Sequence, residues 1–371
     1  MREEVRQAIQ PFLETEFGNP SSIHARGREA RRAVDRARRT IAQTLQARPD
    51  EIFFTSGGTE SINIIHKGLW WRHQHHKNHM IISAIEHSAV IETVNWLKGQ
   101  GLQVTTVFPN DQGVIEVQSI QKAIRPETFL VSVMVANNEL GTIQPFREIG
   151  QLTRSQNILF HADAVQAYGK IPLNVQTDGF DFISVSSHKI YGPKGSGFYF
   201  HRTSVQLEPL IHGGGQERGY RGGTENVLGI VGMAQAAELI HQTMHQEALR
   251  LQALTEFLTQ ELSRRIPQLQ VNGATAPRIP GIVNLSIPSL SAERLIQRLD
   301  REGYAISSGA ACTAGAFHPS HVLLAMNKSN QEAKESIRIS LGAFTTFDEI
   351  QNFVNDLPKT VDALAATPLL D

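Results

Sequence analysis

Short apolar runs rich in β-branched and aromatic residues alternate with longer amphipathic runs over the first two thirds of the chain. The apolar runs predict strands at 51–55, 80–83, 104–108, 130–135, 158–161, 182–186 and 197–201. Helical spacing of apolar residues predicts helices between them at 60–71, 88–97 and 147–156. Because strands and helices alternate, the sequence predicts parallel βαβ units and a sheet covered by helices on both faces.

The last third of the chain has a different pattern, which predicts a second and smaller domain. A helical pattern without a strand runs over 224–265. Strands are then predicted at 282–287, 304–307 and 337–341, and helices at 292–300 and 347–364. We therefore expect a large α/β domain over residues 12–245 and a smaller α+β domain over residues 246–371, with residues 1–11 packing on the smaller domain.

The charge balance gives no support for a nucleic acid or an anionic membrane as partner. Lys and Arg number 35 and Asp and Glu number 36, so the net charge is −1. Seven arginines lie close together between Arg26 and Arg39, but Ala30, Val34 and Ile41 recur among them at helical spacing. This pattern predicts an amphipathic helix whose charged face lies in solvent, and no nucleic-acid-binding motif accompanies it.

Cysteine usage and the absence of long apolar runs indicate the cellular compartment of the protein. Cys312 is the single cysteine of the chain, so no intrachain disulfide and no metal site built from several cysteines is expected. The first residues are charged and lack the apolar core of a secretion signal, and no run of about 20 apolar residues predicts a membrane span. We expect a cytoplasmic protein without a metal site.

The segment TSGGTES at 55–61 lies between a predicted strand and a predicted helix. Its small residues let backbone N–H groups approach an anion, and the N-terminus of a helix favours negative charge. The hydroxyl groups of Ser56 and Thr59 could add donors. An ordinary helix cap, with Glu60 in the first turn, is the alternative.

Two further segments follow predicted strands and carry reactive side chains. HADAVQA at 161–167 puts Asp163 at the carboxyl end of a strand, where open α/β sheets bind ligands; a helix cap is the alternative. SSHKIYGPKG at 186–195 puts Lys189 just after a strand, where desolvation would make it nucleophilic; a lysine in solvent is the alternative. A phosphate cup, a carboxylate and a lysine together are the parts that hold pyridoxal phosphate.

With these three segments the chain resembles the cysteine desulfurases of the NifS/IscS-like group, within the class V aminotransferase family of fold-type I pyridoxal-phosphate enzymes. The further matching stretches are GNPSSIH at 18–24, EH at 86–87, ANNELG at 136–141, GGGQERG at 213–219, RGGT at 221–224, SSGAACT at 307–313 and SIRISLG at 336–342. The resemblance implies a large α/β/α domain with a mostly parallel sheet of seven strands, and a smaller α+β domain.

The resemblance also implies the roles of individual residues. Lys189 bonds covalently to the cofactor, Asp163 pairs with its pyridine nitrogen, Gln166 binds its 3-hydroxyl group, and His87 stacks on its ring and helps move protons. The implied phosphate ligands are Gly58, Thr59, Ser186, His188 and, from the second subunit of a homodimer, Thr224. Asn138 contributes to cofactor binding and, with Arg338, to holding the substrate carboxylate, which the planar guanidinium can bind with two hydrogen bonds.

Cys312 lies in SSGAACTAGA at 307–316, a run of small residues. A lone cysteine is more often a small buried apolar residue, but the lack of large apolar neighbours favours a mobile loop. The resemblance implies that Cys312 takes sulfur from L-cysteine as a persulfide, releases L-alanine, and passes the sulfur to an acceptor protein. That acceptor would serve iron–sulfur cluster assembly or the thiolation of tRNA or a cofactor.

Other functions remain open at the level of sequence. The same scaffold carries selenocysteine lyases, cystine lyases and aminotransferases, and a non-catalytic homologue in sulfur trafficking is an alternative of another class. The sequence also departs from the family pattern: no short strand and Ala-Thr-Thr-Pro-like loop precede the predicted helix at 3–17, and Ala343 stands where the family often has arginine. From the first departure we expect cofactor binding with slow use of L-cysteine.

Overall fold

The computed structural model describes residues 1–309 and 318–366, and the chain divides into two units. The larger unit comprises Met1–Val107, Val117–Val135 and Pro145–Met244, and the smaller unit comprises Phe108–Glu116, Ala136–Gln144 and the chain from His245 onward. The division at 244/245 lies next to the expected boundary. The assignment of these units as two domains stays a prediction.

The structure groups residues 1–11 with the larger unit, contrary to the expectation that they pack on the smaller one. The amide of Arg2 donates a hydrogen bond to the carbonyl oxygen of Tyr191 at 3.3 Å. Val5 and Ile9 on the first helix are buried. Both the backbone contact and the apolar burial therefore tie this helix to the larger unit.

The larger unit alternates strands and helices along the chain. Its strands are β1 Ile52–Thr55, β2 His79–Ser83, β3 Gln103–Val107, β4 Thr128–Ser132, β5 Leu159–Asp163, β6 Phe182–Ser186 and β7 Gly197–His201. Its helices are α1 Glu3–Glu14, α2 Ala25–Leu45, α3 Gly58–His73, α4 Ser88–Lys98, α5 Val117–Ala123, α6 Phe146–Ser155 and the first half of α7 Val227–Arg265. Among the residues described, no helix is both long enough and apolar enough to cross a membrane.

The seven strands form one sheet in the order β1-β7-β6-β5-β4-β2-β3. Strand β7 is antiparallel to both of its neighbours, and the other pairs are parallel. Every residue of β2, β4, β6 and β7 is buried, as expected for a sheet covered on both faces. The predicted α/β class is confirmed, and the carboxyl ends of β1, β2, β4, β5 and β6 meet at one edge.

The smaller unit contains an antiparallel sheet in the order β10-β9-β8. Its strands are β8 Gln270–Val271, β9 Ile282–Ser286 and β10 Ser336–Ser340. Its helices, besides the second half of α7, are α8 Ala292–Arg301, α9 His321–Ala325, α10 Asn330–Lys334 and α11 Phe347–Ala365. An apolar core of buried leucines, isoleucines and valines from α7, α8, α11 and the sheet stabilises this unit.

The strand predicted at 304–307 is wrong. Within this segment only Ser307 pairs with another chain segment, through an isolated bridge to Arg338. Tyr304 instead donates its hydroxyl hydrogen bond to Asp356 Oδ2 at 2.8 Å and packs edge-on against Phe353. The segment is thus held by side-chain contacts and one bridge, without the successive pairs that make a ladder.

The arginine-rich run forms α2, and its predicted apolar face is buried. The expectation that its arginines all lie in solvent is wrong for Arg38, which is only 8% exposed. Its guanidinium donates two hydrogen bonds to Glu217, at 2.7 and 2.8 Å, and one to the carbonyl oxygen of Ile52 at 2.5 Å. Such geometry is what compensates the desolvation of a buried ion pair.

A chain of buried hydrogen bonds connects α3 to three strands of the larger sheet. His66 Nδ1 lies 2.9 Å from the carbonyl oxygen of Ile62, which can only accept, so Nδ1 carries the proton and Nε2 accepts from the Ser132 hydroxyl at 3.1 Å. Ser132 in turn accepts from His161 Nδ1 at 2.8 Å, and His161 Nε2 accepts from Ser184 at 2.9 Å. All the hydrogen bonds of this series therefore run in one direction, from Ser184 to the carbonyl oxygen of Ile62, and they join uncharged groups.

This series of hydrogen-bonded side chains predicts that the protein loses stability in acid. Burial lowers the pKa of His66 to about 4 and that of His161 well below its usual range. Because a histidine of the unfolded chain binds its proton near pH 6.5, the stability present above that pH is lost as the pH falls towards 4. For His66 the loss in the free energy of unfolding is about 3 kcal/mol.

Denaturant unfolding at a series of pH values measures this effect. We expect the free energy of unfolding of His66→Gln to depend less steeply on pH between 6.5 and 4 than that of the unmutated protein. His75→Gln, which changes an exposed histidine near the end of the same helix, should follow the unmutated protein. Equal slopes for all three proteins would contradict the prediction.

Candidate active site

The residues predicted to bind a ligand collect at the carboxyl edge of the larger sheet. Thr55, Asp163 and Ser186 are the last residues of β1, β5 and β6, and His87 and Lys189 follow β2 and β6 within four residues. Because parallel strands end at the same edge, these segments of the larger unit lie side by side. The sheet edge is therefore where a ligand of this unit would bind.

The turn between β1 and α3 exposes backbone donors. Gly57 has φ +154° and ψ −176°, a conformation that essentially only glycine adopts, and it provides no side-chain cap for α3. A Cβ atom on Gly58 would lie 2.8 Å from Val165 Cγ2, so the turn approaches the segment after β5 closely. The first-turn N–H groups lack helical partners and lie at the positive end of the helix dipole.

The hydroxyl of Ser56 does not serve as the anion donor considered from sequence. It donates a hydrogen bond to Glu60 Oε2 at 2.5 Å, and the Ser56 amide donates to the same oxygen at 2.9 Å. Arg221 binds the other oxygen of Glu60 at 2.8 Å. Glu60 therefore binds this turn, as the helix-cap interpretation expects, whereas the binding of an anion by the backbone of Gly57 and Gly58 stays a prediction.

Asp163 is 6% exposed at the end of β5. Its Oδ1 accepts a hydrogen bond from the Val165 amide at 2.9 Å, and the next regular element is β6, so the alternative of a helix cap is wrong. Burial raises the pKa of Asp163, while the Val165 hydrogen bond and positive charge on His87 or Lys189 act in the opposite direction. A buried carboxyl in such surroundings suits a cationic partner.

Lys189 lies in a short 3-10 helix, Ser187–Ile190, that directly follows β6. Its side chain is exposed in the single chain, so the desolvation considered from sequence is not found. Ser186 Oγ lies 2.9 Å from His188 Nδ1. Burial lowers the pKa of His188, and the positive charges of Lys189 and Lys194 lower it further. The loop thus combines a hydroxyl, an imidazole and two ammonium groups, and the charge of Lys189 acts on Asp163.

His87 caps α4 and is half-buried. Its Nδ1 accepts a hydrogen bond from the Ala89 amide at 3.0 Å. Because an amide can only donate, the proton of the neutral ring lies on Nε2. This bond fixes the orientation of the ring, and a positive charge on it would act on Asp163.

The remaining predicted cofactor residues of the larger unit have the following places. Gln166 lies three residues after Asp163, and its Oε1 accepts a hydrogen bond from Lys170 Nζ at 3.1 Å. Thr59, in the first turn of α3, and Thr224, just before α7, are exposed. The assigned roles of these three residues stay predictions.

The two residues predicted to bind a substrate carboxylate both lie in the smaller unit. Arg338 Nη1 on β10 donates a hydrogen bond to the carbonyl oxygen of Asn138 at 3.2 Å. Within the described part of the chain, the buried Oδ1 of Asn138 has no hydrogen-bond partner. The structure therefore brings Asn138 and Arg338 together within this unit. Cys312 lies outside the described residues.

The donor set of the larger unit fits pyridoxal phosphate. The open first turn of α3, with Ser186 and His188, supplies donors for a phosphate. The buried carboxylate of Asp163 suits a protonated pyridine nitrogen, and Lys189 supplies an amine. Residues 1–309 and 318–366 contain no group of three His, Cys, Asp or Glu side chains placed to hold a metal ion.

The chain belongs to the class-V aminotransferase family, whose sequence model matches residues 1–353. Its relatives include the protein named cysteine desulfurase IscS of Dictyoglomus turgidum (strain DSM 6724 / Z-1310), which is 42% identical over 98% of this chain and 92% of the relative. The protein named putative cysteine desulfurase IscS 1 of Bacillus subtilis (strain 168) is 40% identical over 98% of this chain and 96% of the relative.

Solved structures agree with this assignment. A protein described as NIFS-like superposes with a TM-score of 0.92 at 36% identity, over 98% of this chain and 97% of that one. The structure described as SspA in complex with cysteine superposes with a TM-score of 0.83 at 36% identity, over 93% and 97% of the two chains. The predicted family and the predicted fold type are confirmed.

Proposed function

We propose that the protein is a pyridoxal-phosphate-dependent cysteine desulfurase. It converts L-cysteine and the Cys312 thiol into L-alanine and a Cys312 persulfide. The observation that carries the proposal is the meeting of the open α3 turn, Asp163 and Lys189 at one sheet edge. The names of relatives that span almost the whole chain support the choice of L-cysteine as substrate.

The cofactor would be held by residues of the larger unit. Asp163 pairs with the pyridine nitrogen, His87 stacks on the ring and Gln166 binds the 3-hydroxyl group. The phosphate is bound by Gly58, Thr59, Ser186 and His188, and by Thr224 of a second copy of the chain. When bound, pyridoxal phosphate supplies an electron sink that acidifies the Cα proton of an amino acid and weakens its Cβ–S bond.

The side chains of the protein do the remaining work. Asn138 and Arg338 hold the substrate carboxylate, and Lys189 removes the Cα proton and returns a proton. The Cys312 thiolate attacks the substrate sulfur, forming an S–S bond as the Cβ–S bond breaks. The electron pair of the broken bond stays with the carbon fragment, which takes up a proton and leaves as L-alanine. The transferred sulfur atom is thereby oxidised and the carbon fragment reduced, so no further reductant is needed.

A homodimer and a sulfur-accepting protein complete the proposal. The larger unit exposes three large apolar side chains near its N-terminus: Leu13 at 64%, Phe17 at 93% and Ile23 at 91%. Apolar groups exposed to this degree in one region favour burial against a partner, here a second copy of the chain. The acceptor belongs to iron–sulfur cluster assembly or to a thiolation pathway.

One experiment tests the proposed function. The purified protein is supplied with pyridoxal phosphate, L-cysteine and a thiol reductant, and alanine and sulfide are measured over time. We expect visible absorbance from bound cofactor and equal amounts of alanine and sulfide. Cofactor binding without alanine would contradict the proposed reaction, and pyruvate formed with sulfide would indicate a different lyase.

A further inference from the structure

We infer that Glu86 is a positioning residue, kept as an uncharged carboxylic acid across the backbone of residues 134–135 from Asp163, so that Asp163 alone carries the negative charge of the pair. The inference rests on the proposed function, in which Asp163 binds the pyridine nitrogen. Sequence analysis found Glu86 only as the neighbour of His87 in a matching stretch. The structure shows that Glu86 has burial and hydrogen bonds that the sequence does not indicate.

Glu86 is fully buried between the end of β2 and the start of α4. Its Oε1 accepts two hydrogen bonds, from the Ser83 hydroxyl at 2.5 Å and from the Met134 amide at 2.9 Å. Both donors come from neutral groups. Because Oε1 is occupied as an acceptor on both sides, a proton bound by this carboxyl resides on Oε2.

Adjacent backbone groups connect Glu86 and Asp163. Met134 donates its amide hydrogen bond to Glu86, and the next residue, Val135, donates its amide hydrogen bond to the carbonyl oxygen of Asp163 at 2.9 Å. These residues extend the chain beyond β4, which lies between β2 and β5 in the sheet. The two carboxyl-bearing residues therefore flank the same short segment of backbone.

The electrostatics of Glu86 and Asp163 favour a state in which one of the two carboxyl groups binds a proton and the other is ionised. Burial and, to a smaller extent, the negative charge of Asp163 raise the pKa of Glu86 to about 8, against the opposing effect of the hydrogen bonds from Ser83 and Met134. Burial also raises the pKa of Asp163, but positive charge on His87 and Lys189 favours its ionised form. Two buried carboxyl groups whose charges act on each other do not readily ionise together. Glu86 therefore takes the proton at neutral pH, and Asp163 remains ionised.

This assignment has a consequence for the reaction site. A neutral Glu86 leaves Asp163 as the single anion of the pair, so a protonated ring nitrogen would meet one defined partner. The hydrogen bonds of Glu86 to Ser83 and Met134 also fix the backbone immediately before His87. A glutamate retained for packing alone would give the second effect without requiring a proton.

Infrared spectroscopy of the holoenzyme separates these two cases. A buried carboxylic acid has a C=O stretch distinct from that of a carboxylate. We expect the unmutated protein at neutral pH to show this band and Glu86→Gln to lack it. Glu51→Gln is the matched control, because Glu51 is also buried but has a cationic neighbour. Its Oε1 lies 3.9 Å from Arg48 Nη2, and its Oε2 accepts a hydrogen bond from the Arg48 amide. This variant should keep the band.

The pH dependence of the same band is the second part of the test. The band should disappear as the pH rises through about 8. In Asp163→Asn, which removes the neighbouring anion, it should disappear at a lower pH. Absence of the band at neutral pH, its persistence in Glu86→Gln, or an unchanged midpoint in Asp163→Asn would overturn the inference. Since none of these readouts requires turnover, failure to form alanine would contradict the proposed function alone.

Discussion

Replacement of Lys189 by alanine is expected to abolish the covalent attachment of pyridoxal phosphate. It should also lower the turnover of L-cysteine by roughly 10²–10⁴-fold, the contribution typical of a positioned acid–base group. The physical reason is that Lys189 directly follows β6, and its charge acts on the buried Asp163, the proposed partner of the ring nitrogen. Removing this amine removes both the covalent link and the group that moves the Cα proton.

Borohydride reduction followed by peptide mapping measures this attachment. In the unmutated protein we expect the pyridoxyl group on Lys189. The matched control is Lys194→Ala, which changes the other lysine of the same loop and should keep the label. A pyridoxyl group on Lys194, or covalent attachment that survives in Lys189→Ala, would reject the assignment.

Replacement of Cys312 by serine should abolish persulfide formation and leave the absorbance of bound pyridoxal phosphate nearly unchanged. The proposed cofactor ligands lie between residues 58 and 224, and Cys312 is not among them. An alcohol is a far poorer nucleophile towards sulfur than a thiolate, so the substrate sulfur has no acceptor on the protein. Absorbance spectra and mass spectrometry after addition of L-cysteine measure the two effects. Sulfide release by Cys312→Ser at the unmutated rate would favour a direct lyase.

Local sequence patterns predicted the large sheet well because most of its strands are buried along their whole length. Strands β6 and β7 have the predicted bounds, 182–186 and 197–201. In such runs the apolar character itself marks the strand. The run at 304–307 has a similar composition but pairs only at Ser307, since strand formation depends on a partner elsewhere in the chain.

Contacts between distant residues explain the other differences. Arg38 belongs to a run that has the spacing of an amphipathic helix, yet its ion-pair partner Glu217 lies 179 residues away. The packing of residues 1–11 on the larger unit likewise depends on Tyr191, far along the chain. No local periodicity contains this information.

The candidate site likewise has features that local sequence predicts and features that depend on contacts between distant residues. Asp163 and Lys189 could be predicted as neighbours, because both follow strands and parallel strands end at one edge. The state of Glu86 could not, because it depends on complete burial, on the Met134 amide and on the charge of Asp163. The role of Cys312 stays a prediction from sequence, since this residue lies outside the described part of the chain.

The central claim is that sulfur moves from L-cysteine to Cys312, and a single turnover without reductant tests it most directly. The holoenzyme is mixed with less than one equivalent of L-cysteine, alkylated, and digested for mass spectrometry, while alanine is quantified in parallel. The account predicts one added sulfur atom on the peptide that contains Cys312, in a one-to-one ratio with alanine. Alanine accompanied by free sulfide from the first turnover, with no mass gain on that peptide, would contradict it.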